Sequence, residues 1–439
     1  MPSVKLVRLF LLLEAALMSQ LLLLFLIRET KPNTETLKHL FILKESPLPF
    51  IPQRVSSVDA YRGFVMLLMM GEVLKFGQVA EALPDSALWA FLDYHQSHVS
   101  WVGCSLHDLI QPSFSFLVGV ALPYSMASKS SRQQSTGMMW FHTLRRSLIL
   151  ILLGIFLRSM HASQTNFTFE DTLTQIGLGY PFLFALGFRS ERTQWTSLIL
   201  ILIAYGIFFS IYPLPGPHFD WAETGTTAHW EHHLKGFAAH WNKNTNAAWA
   251  FDRWFMNIFP RESPFRFNGG GYSTLSFIPT LGTMILGLIA GQWLRNAKSS
   301  SSLIRQFVLS AAGLFVLAII LNFSGINPIV KRIWTPAWTL FSGGWCFLLL
   351  ALFYYLVDVR NTKSWFFVLI VIGTNSIAAY LLAHTVDSFI DQSFRINISP
   401  DYDLLFGTPY RSLVSGMTIL LIEWWILYRM YQKKIFIRI

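Results

Sequence analysis

The residues of this chain whose types and spacing could do chemistry gather between His95 and Gly119, in the segment HQSHVSWVGCSLHDLIQPSFSFLVG. Three histidines (His95, His98, His107) and Asp108 stand there with Trp101, two glycines and Pro112, at the mouth of an apolar run. An ionisable group at a membrane boundary is costly unless paired or solvated, so a cluster of them raises the expectation of function. A histidine titrates near neutrality and can serve as general base or nucleophile. If the chain turns at Gly103, His98 and Asp108 can meet, with the carboxylate orienting the imidazole. Two other readings stay open. His95 and His98 could be interfacial loop residues bonded to backbone, or His95, His98 and His107 could bind a metal, for which no recognised ligand spacing speaks.

Three further places carry polar groups in apolar surroundings. In Ser57-Val58-Asp59-Ala60-Tyr61-Arg62-Gly63, Asp59 and Arg62 are three apart and share a helical face, where a structural ion pair anchoring the helix at the headgroups is the favoured reading. Glu72 lies ten residues beyond Arg62, roughly 15 Å up a helix axis. A carboxylate there is either a protonated packing partner or a general base near a substrate. Asn375 and His384 fall in one predicted helix, where interhelical hydrogen bonding is the commoner use of such groups. By the charge count below, His384 lies at the same outer depth as His98.

The elements that must position these residues are transmembrane helices. Of 439 residues 53% are hydrophobic and only 13% charged, about half the charged share of a soluble domain. The fold class expected is all-α, a polytopic membrane protein of about eleven spans. They fall near 9–27, 62–80, 108–127, 146–161, 173–188, 195–212, 274–294, 304–322, 337–357, 365–384 and 411–431. Residues 1–53 read as an N-terminal apolar helix, retained rather than cleaved, followed by a cytoplasmic linker; residues 54–439 read as one membrane domain. Lys and Arg on alternate sides number 21 and 12, which puts the C-terminus in the cytoplasm. The loop holding His95 and His98 has no basic residue and is placed outside. One long loop, 213–273, carries five histidines and five tryptophans; metal binding is one use, and stacking on sugar faces suits the tryptophans better, against an interfacial aromatic belt. The net charge of +10 is scattered between apolar runs with no nucleic-acid motif, and Cys104 and Cys346 define no disulfide framework.

With these residues in view, the chain resembles the transmembrane acetyltransferase family of heparan-α-glucosaminide N-acetyltransferase and its bacterial relatives. Four places carry the likeness: Ser57-Val58-Asp59-x-x-Arg62-Gly63; His98-Val99-Ser100-Trp101-Val102-Gly103 with Asp108-Leu109 and Pro112; Gly373-x-Asn375-Ser376-Ile377 with Tyr380 and His384; and Tyr428-Arg429 to Lys433-Lys434-Ile435-Phe436. Leu173-x-Gln175 with Gly177, and Lys331-x-x-Trp334, look like weaker family positions. The resemblance implies transfer of acetyl from cytosolic acetyl-CoA to a glucosamine-type amine across the membrane, with His98 in the active-site position. It implies Asp108, His384 and Asn375 as further catalytic candidates, Arg54, Asp59 and Arg62 at the cofactor, and Glu72, His95 and Trp101 at the acceptor. No metal is expected. The implied partners are an amino-sugar acceptor and the lipid bilayer, the implied location is the inner membrane, and a homodimer is left open. The family often has asparagine where Glu72 and Val73 stand here, and the 213–273 loop differs from the lysosomal enzyme's, so the acceptor itself stays open. The rivals are O-acyl transfer to sugar hydroxyls and a polytopic sugar transporter; a transporter should show paired inverted halves, and no such internal symmetry is visible.

Overall fold

A computed structural model describes residues 55–437. Arg54 and the expected span at 9–27 lie outside the described residues. In a bilayer every backbone polar group needs a partner within its own segment, and the apolar runs meet that need as helices. The principal ones are α1 (Ser56–Met70), α2 (Phe76–Ala82), α3 (Ala87–Gln96), α4 (Ile110–Ser131), α5 (Thr136–Ser159), α6 (Thr172–Gly187), α7 (Glu191–Ser210), α8 (Ala247–Phe255), α9 (Phe277–Asn296), α10 (Ser300–Phe323), α11 (Pro336–Phe353), α12 (Phe367–Thr374), α13 (Ser376–Thr385), α14 (Asp387–Asn397) and α15 (Arg411–Gln432). Side chains fix several starts: Ser135, Asp171, Ser190 and Thr335 each accept a first-turn N–H, and Pro336 follows the last of these at the first helical position. No strand forms among the described residues beyond one antiparallel bridge, Val102 to Val330.

Seven described helices are long and apolar enough to cross a membrane, or up to nine if each of two bent pairs counts as one span. The chain is therefore a multi-pass, all-helical membrane protein. The helix α6, with 16 residues, is shorter than these. Two expected single helices are corrected to broken ones. The run at 62–80 bends by 42° after Leu74, and the run at 365–384 bends by 84° between α12 and α13. The first break has a clear cause: Lys75 takes a left-handed φ of 48°, and the side chain of Gln96 meets the freed groups, accepting from Phe76 N (2.7 Å) and donating to Gly71 O (2.6 Å). At the second, Asn375 turns its side chain away to the C-terminal segment.

The core sits on α9, whose most apolar stretch is 83% buried. Lipid tails are as apolar as leucine, so helices associate through close packing, and small residues set the distance. A Cβ placed on Gly287 of α9 would lie 1.9 Å from Phe116 O of α4. A second such contact joins α1 and α12: a Cβ on Gly63 would meet Leu369 O at 1.8 Å, and one on Gly373 would meet Asp59 O at 1.9 Å. The helices α5, α7 and α10 are only 28% buried over their apolar stretches and turn leucine, isoleucine and phenylalanine outward, as lipid-facing helices do.

Candidate active site

The loop from Ser97 to Leu106 leaves α3 and turns back at Gly103, whose φ of 127° favours glycine and whose N–H donates to Ile329 O at 3.0 Å. With the Val102–Val330 bridge this ties the loop to a second one, between α10 and α11. There a tight turn closes by Trp334 N donating to Lys331 O (2.8 Å), with Trp334 itself left-handed and buried, its indole donating to Thr283. Three ionisable side chains meet where these loops touch. His98 Nδ1 lies 2.8 Å from Asp108 Oδ1, and Lys331 Nζ lies 3.3 Å from the same oxygen. The lysine also stands 3.1 Å from His98 Nδ1 and 3.4 Å from Nε2.

Asp108 is the hub. Its side chain is 1% exposed, yet its second oxygen accepts from Val99 N, Ser105 N and Ser105 Oγ, so the carboxylate is fully solvated by the protein. That donor set favours the anion, and the anion fixes His98 with its Nδ1–H toward Asp108. The Nε2 lone pair is then the ring's acceptor, with Lys331 Nζ at 3.4 Å, on a side chain that is 34% exposed. Burial pulls the His98 pKa below its ordinary value; Asp108 works against that and the Lys331 ammonium works with it. The balance favours the neutral imidazole. Burial likewise lowers Lys331, whose ammonium is held by Asp108.

A second pair adjoins the first. His107 Nε2 lies 3.1 Å from Glu72 Oε1, and the His107 ring stands 4.6 Å from the His98 ring. Tyr272, at the end of the 213–273 segment, faces His98 with ring centres 6.5 Å apart and is covered by the Arg332 guanidinium at 5.3 Å. Arg332 in turn donates to Gly270 O and Val99 O, fastening that segment to the site.

The other expected residues are placed as follows. His95 Nδ1 accepts from Leu106 N and braces the loop (3.2 Å). The three histidines therefore do not converge on a common point. Trp101 is buried, donating to Trp241 O at 3.1 Å and standing edge-on to Trp230, so it belongs to an aromatic core with Phe209 and Trp241. His384 is exposed, its Nδ1 on Tyr380 O and its ring stacked on Tyr380 at 4.4 Å. Asn375 is buried away from His98: it donates to Ile435 O (2.8 Å) and accepts from Ile437 N (2.9 Å), holding the C-terminal segment. Asp59 and Arg62 pair at 3.3 Å near that same end, the far end of α1 from Glu72. Lys331 is the member of the cluster that residue spacing did not assign a role. The only signal for it in the sequence is the Lys331-x-x-Trp334 pattern, which the structure explains as the turn that aims the lysine.

Fold and site together define a polytopic helical membrane protein with a histidine, carboxylate and lysine cluster at the end of its bundle. Among known proteins the chain is similar to heparan-alpha-glucosaminide N-acetyltransferase of Homo sapiens, 23% identical over 434 residues, which take in 89% of this chain and 61% of that protein. It is also similar to the enzyme of the same name from Mus musculus, 21% identical over 428 residues, with 88% and 60% covered. No family model matches the chain. The relationship to that family is distant, and the chain spans about three-fifths of the length of these curated relatives.

Proposed function

We propose that this protein is a membrane-embedded acetyltransferase that moves acetyl from acetyl-CoA to the amine of an amino sugar, with donor and acceptor meeting at His98. The observation that carries the reading is the setting of His98: Nδ1 held by a buried carboxylate at 2.8 Å, and a part-exposed ring whose Nε2 has the Lys331 ammonium beside it at 3.4 Å. The similarity to N-acetyltransferases adds support of its own. The neutral amine attacks the thioester carbonyl, its proton passes to Nε2, the C–S bond breaks, and the departing CoA thiolate recovers that proton. The same Nε2 serves if acetyl first forms an acetyl-imidazole with loss of the thiolate and is then taken by the amine. In either order the carbonyl oxygen gains negative charge beside Nε2, where the Lys331 ammonium can stabilise it.

The donor side is the opposite end of α1. Arg62, with Arg54, supplies cationic groups suited to the CoA phosphates. The acyl arm then has to bridge about the ten helical residues from Arg62 to Glu72, roughly 15 Å. Asn375 is assigned to holding the C-terminal segment rather than to the reacting carbonyl. The basic-residue count of the loops supports a His98 end that faces out and a C-terminus in the cytoplasm.

The test uses purified protein in proteoliposomes with acetyl-labelled acetyl-CoA and either glucosamine or N-acetylglucosamine. Label should pass to glucosamine and not to N-acetylglucosamine, and His98→Ala should lower the rate by a factor of about 100 to 10,000. A His98→Ala protein that acetylates glucosamine at the wild-type rate overturns the assignment. Equal labelling of N-acetylglucosamine points instead to transfer onto sugar hydroxyls.

A further inference from the structure

At the end of the bundle away from His98, α4 and α5 both pack on α6 and hardly on each other. Glycines on α6 bring each of them close: a Cβ on Gly187 would lie 2.6 Å from Met126 Sδ of α4, and one on Gly177 would lie 2.9 Å from Ser147 O of α5. A seam is left between α4 and α5, floored by α6. The two helices are joined by the short loop 132–135 and run antiparallel. Helical side chains lean toward the N-terminus of their own helix, so Lys129 near the end of α4 and Arg146 of α5 lean toward each other across the seam. Both are half-buried, and the Arg146 charge acts directly on Lys129. The Arg146 guanidinium lies over the buried Tyr180 ring of α6 at 4.6 Å and donates to its hydroxyl at 3.2 Å. Among the described residues it has no other hydrogen bond, its Nε is buried without a partner, and neither cation is paired with a carboxylate.

Two like charges held together and partly desolvated raise the energy of the fold unless an anion lies between them. The donors left open are Arg146 Nε and Nη2, Lys129 Nζ and the Tyr180 hydroxyl proton, one set from each of three helices. A planar fork and a point charge that converge in this way match the oxygens of a phosphate. The depth agrees. Arg146 stands where the polar opening of α5 gives way to its apolar run, with Leu148, Leu152 and Phe156 turned outward beyond it, which is the level of the bilayer phosphates. We infer that Lys129, Arg146 and Tyr180 bind a phosphate ester in this seam. Two sources bring that group to this depth: the headgroup of an anionic phospholipid, and a soluble phosphate ester entering from the same end of the bundle. The inference stands apart from acetyl transfer at His98, because the phosphate is bound with no reaction running.

The measurement is equilibrium binding to the purified full chain in uncharged detergent, with radiolabelled phosphatidylglycerol, phosphatidylcholine and coenzyme A as probes. Wild type should bind phosphatidylglycerol or coenzyme A, and Arg146→Gln should weaken that binding about tenfold or more. Arg145→Gln makes the same change of charge at the exposed neighbour and should leave binding within twofold. Phosphatidylcholine, whose phosphate is balanced by its own ammonium, should bind weakly throughout. Loss of phosphatidylglycerol in Arg146→Gln supports the site with a lipid headgroup as its source, and loss of coenzyme A supports it with a soluble ester. If Arg146→Gln does not fold, Lys129→Glu supplies the missing carboxylate: it should pair with Arg146, keep or raise the melting temperature and abolish binding of the phosphate. Arg146→Gln or Lys129→Glu protein that binds both anionic probes as Arg145→Gln does overturns the inference. So does a wild type that binds no coenzyme A and holds phosphatidylcholine as tightly as phosphatidylglycerol.

Discussion

At the scale of single residues, burial first and the Lys331 ammonium after it lower the His98 pKa. Asp108 alone would raise the imidazole pKa, as a carboxylate does for any neighbouring histidine. Burial and the ammonium of Lys331 reverse that outcome. A reaction that needs neutral Nε2 gains rate as pH rises through the His98 pKa, so the midpoint of the acidic limb of wild type should lie below the ordinary histidine value. In Lys331→Met the lowering cation is gone while Asp108 remains, so the His98 pKa rises. The acidic limb of kcat/KM against pH should move to higher pH, with the deficit of the variant largest at acidic pH. A limb that stays in place would remove Lys331 from the electrostatics of the site. Sequence reading reaches His98 and Asp108 because they are ten residues apart across one glycine turn; Lys331 is 233 residues from His98, and its Lys331-x-x-Trp334 pattern does not point to that partner.

At the scale of elements, the glycines of the first and third motifs turn out to face each other. Gly63 and Gly373 let α1 and α12 approach backbone to backbone, and the neighbour each would strike is a carbonyl group that has no freedom to move aside. Gly373→Val should force the pair apart at a cost of about 1–3 kcal/mol or more and lower the melting temperature in detergent. Gly313→Ala is the matched control, since nothing lies within 4 Å of the added Cβ on the outer face of α10. Equal melting temperatures for the two variants would mean that α1 and α12 do not pack as described. The bends at Lys75 and Asn375 belong to this scale as well. Hydropathy reads each bent pair as one run, because the residues are predominantly apolar on both sides of the break and the break is made by partners distant in sequence: Gln96 in one case, Ile435 and Ile437 in the other.

At the scale of the whole molecule, the proposed reaction depends on which end of the bundle faces out. Asp85 and Lys298 are exposed in loops that the charge count puts on opposite sides. In a chain with Cys104 and Cys346 replaced by serine, Asp85→Cys should react with a membrane-impermeant maleimide applied from outside, and Lys298→Cys should react only after the membrane is opened. The reverse pattern would put His98 on the donor side and end the transmembrane scheme. What the sequence determined unaided is the helical, membrane-embedded class, and it offered the pairing of His98 with Asp108 as one of three readings. Run length against bilayer thickness and a short turn are local properties, and local properties survive in a linear string. Only the tertiary structure decided that Lys331 joins the pair, that His107 and Glu72 adjoin it, that Asn375 serves the C-terminal segment, and that Trp101 is core. Each of these depends on which helices pack side by side, and that choice is made by backbone approach at glycines and by polar groups seeking partners across the bundle.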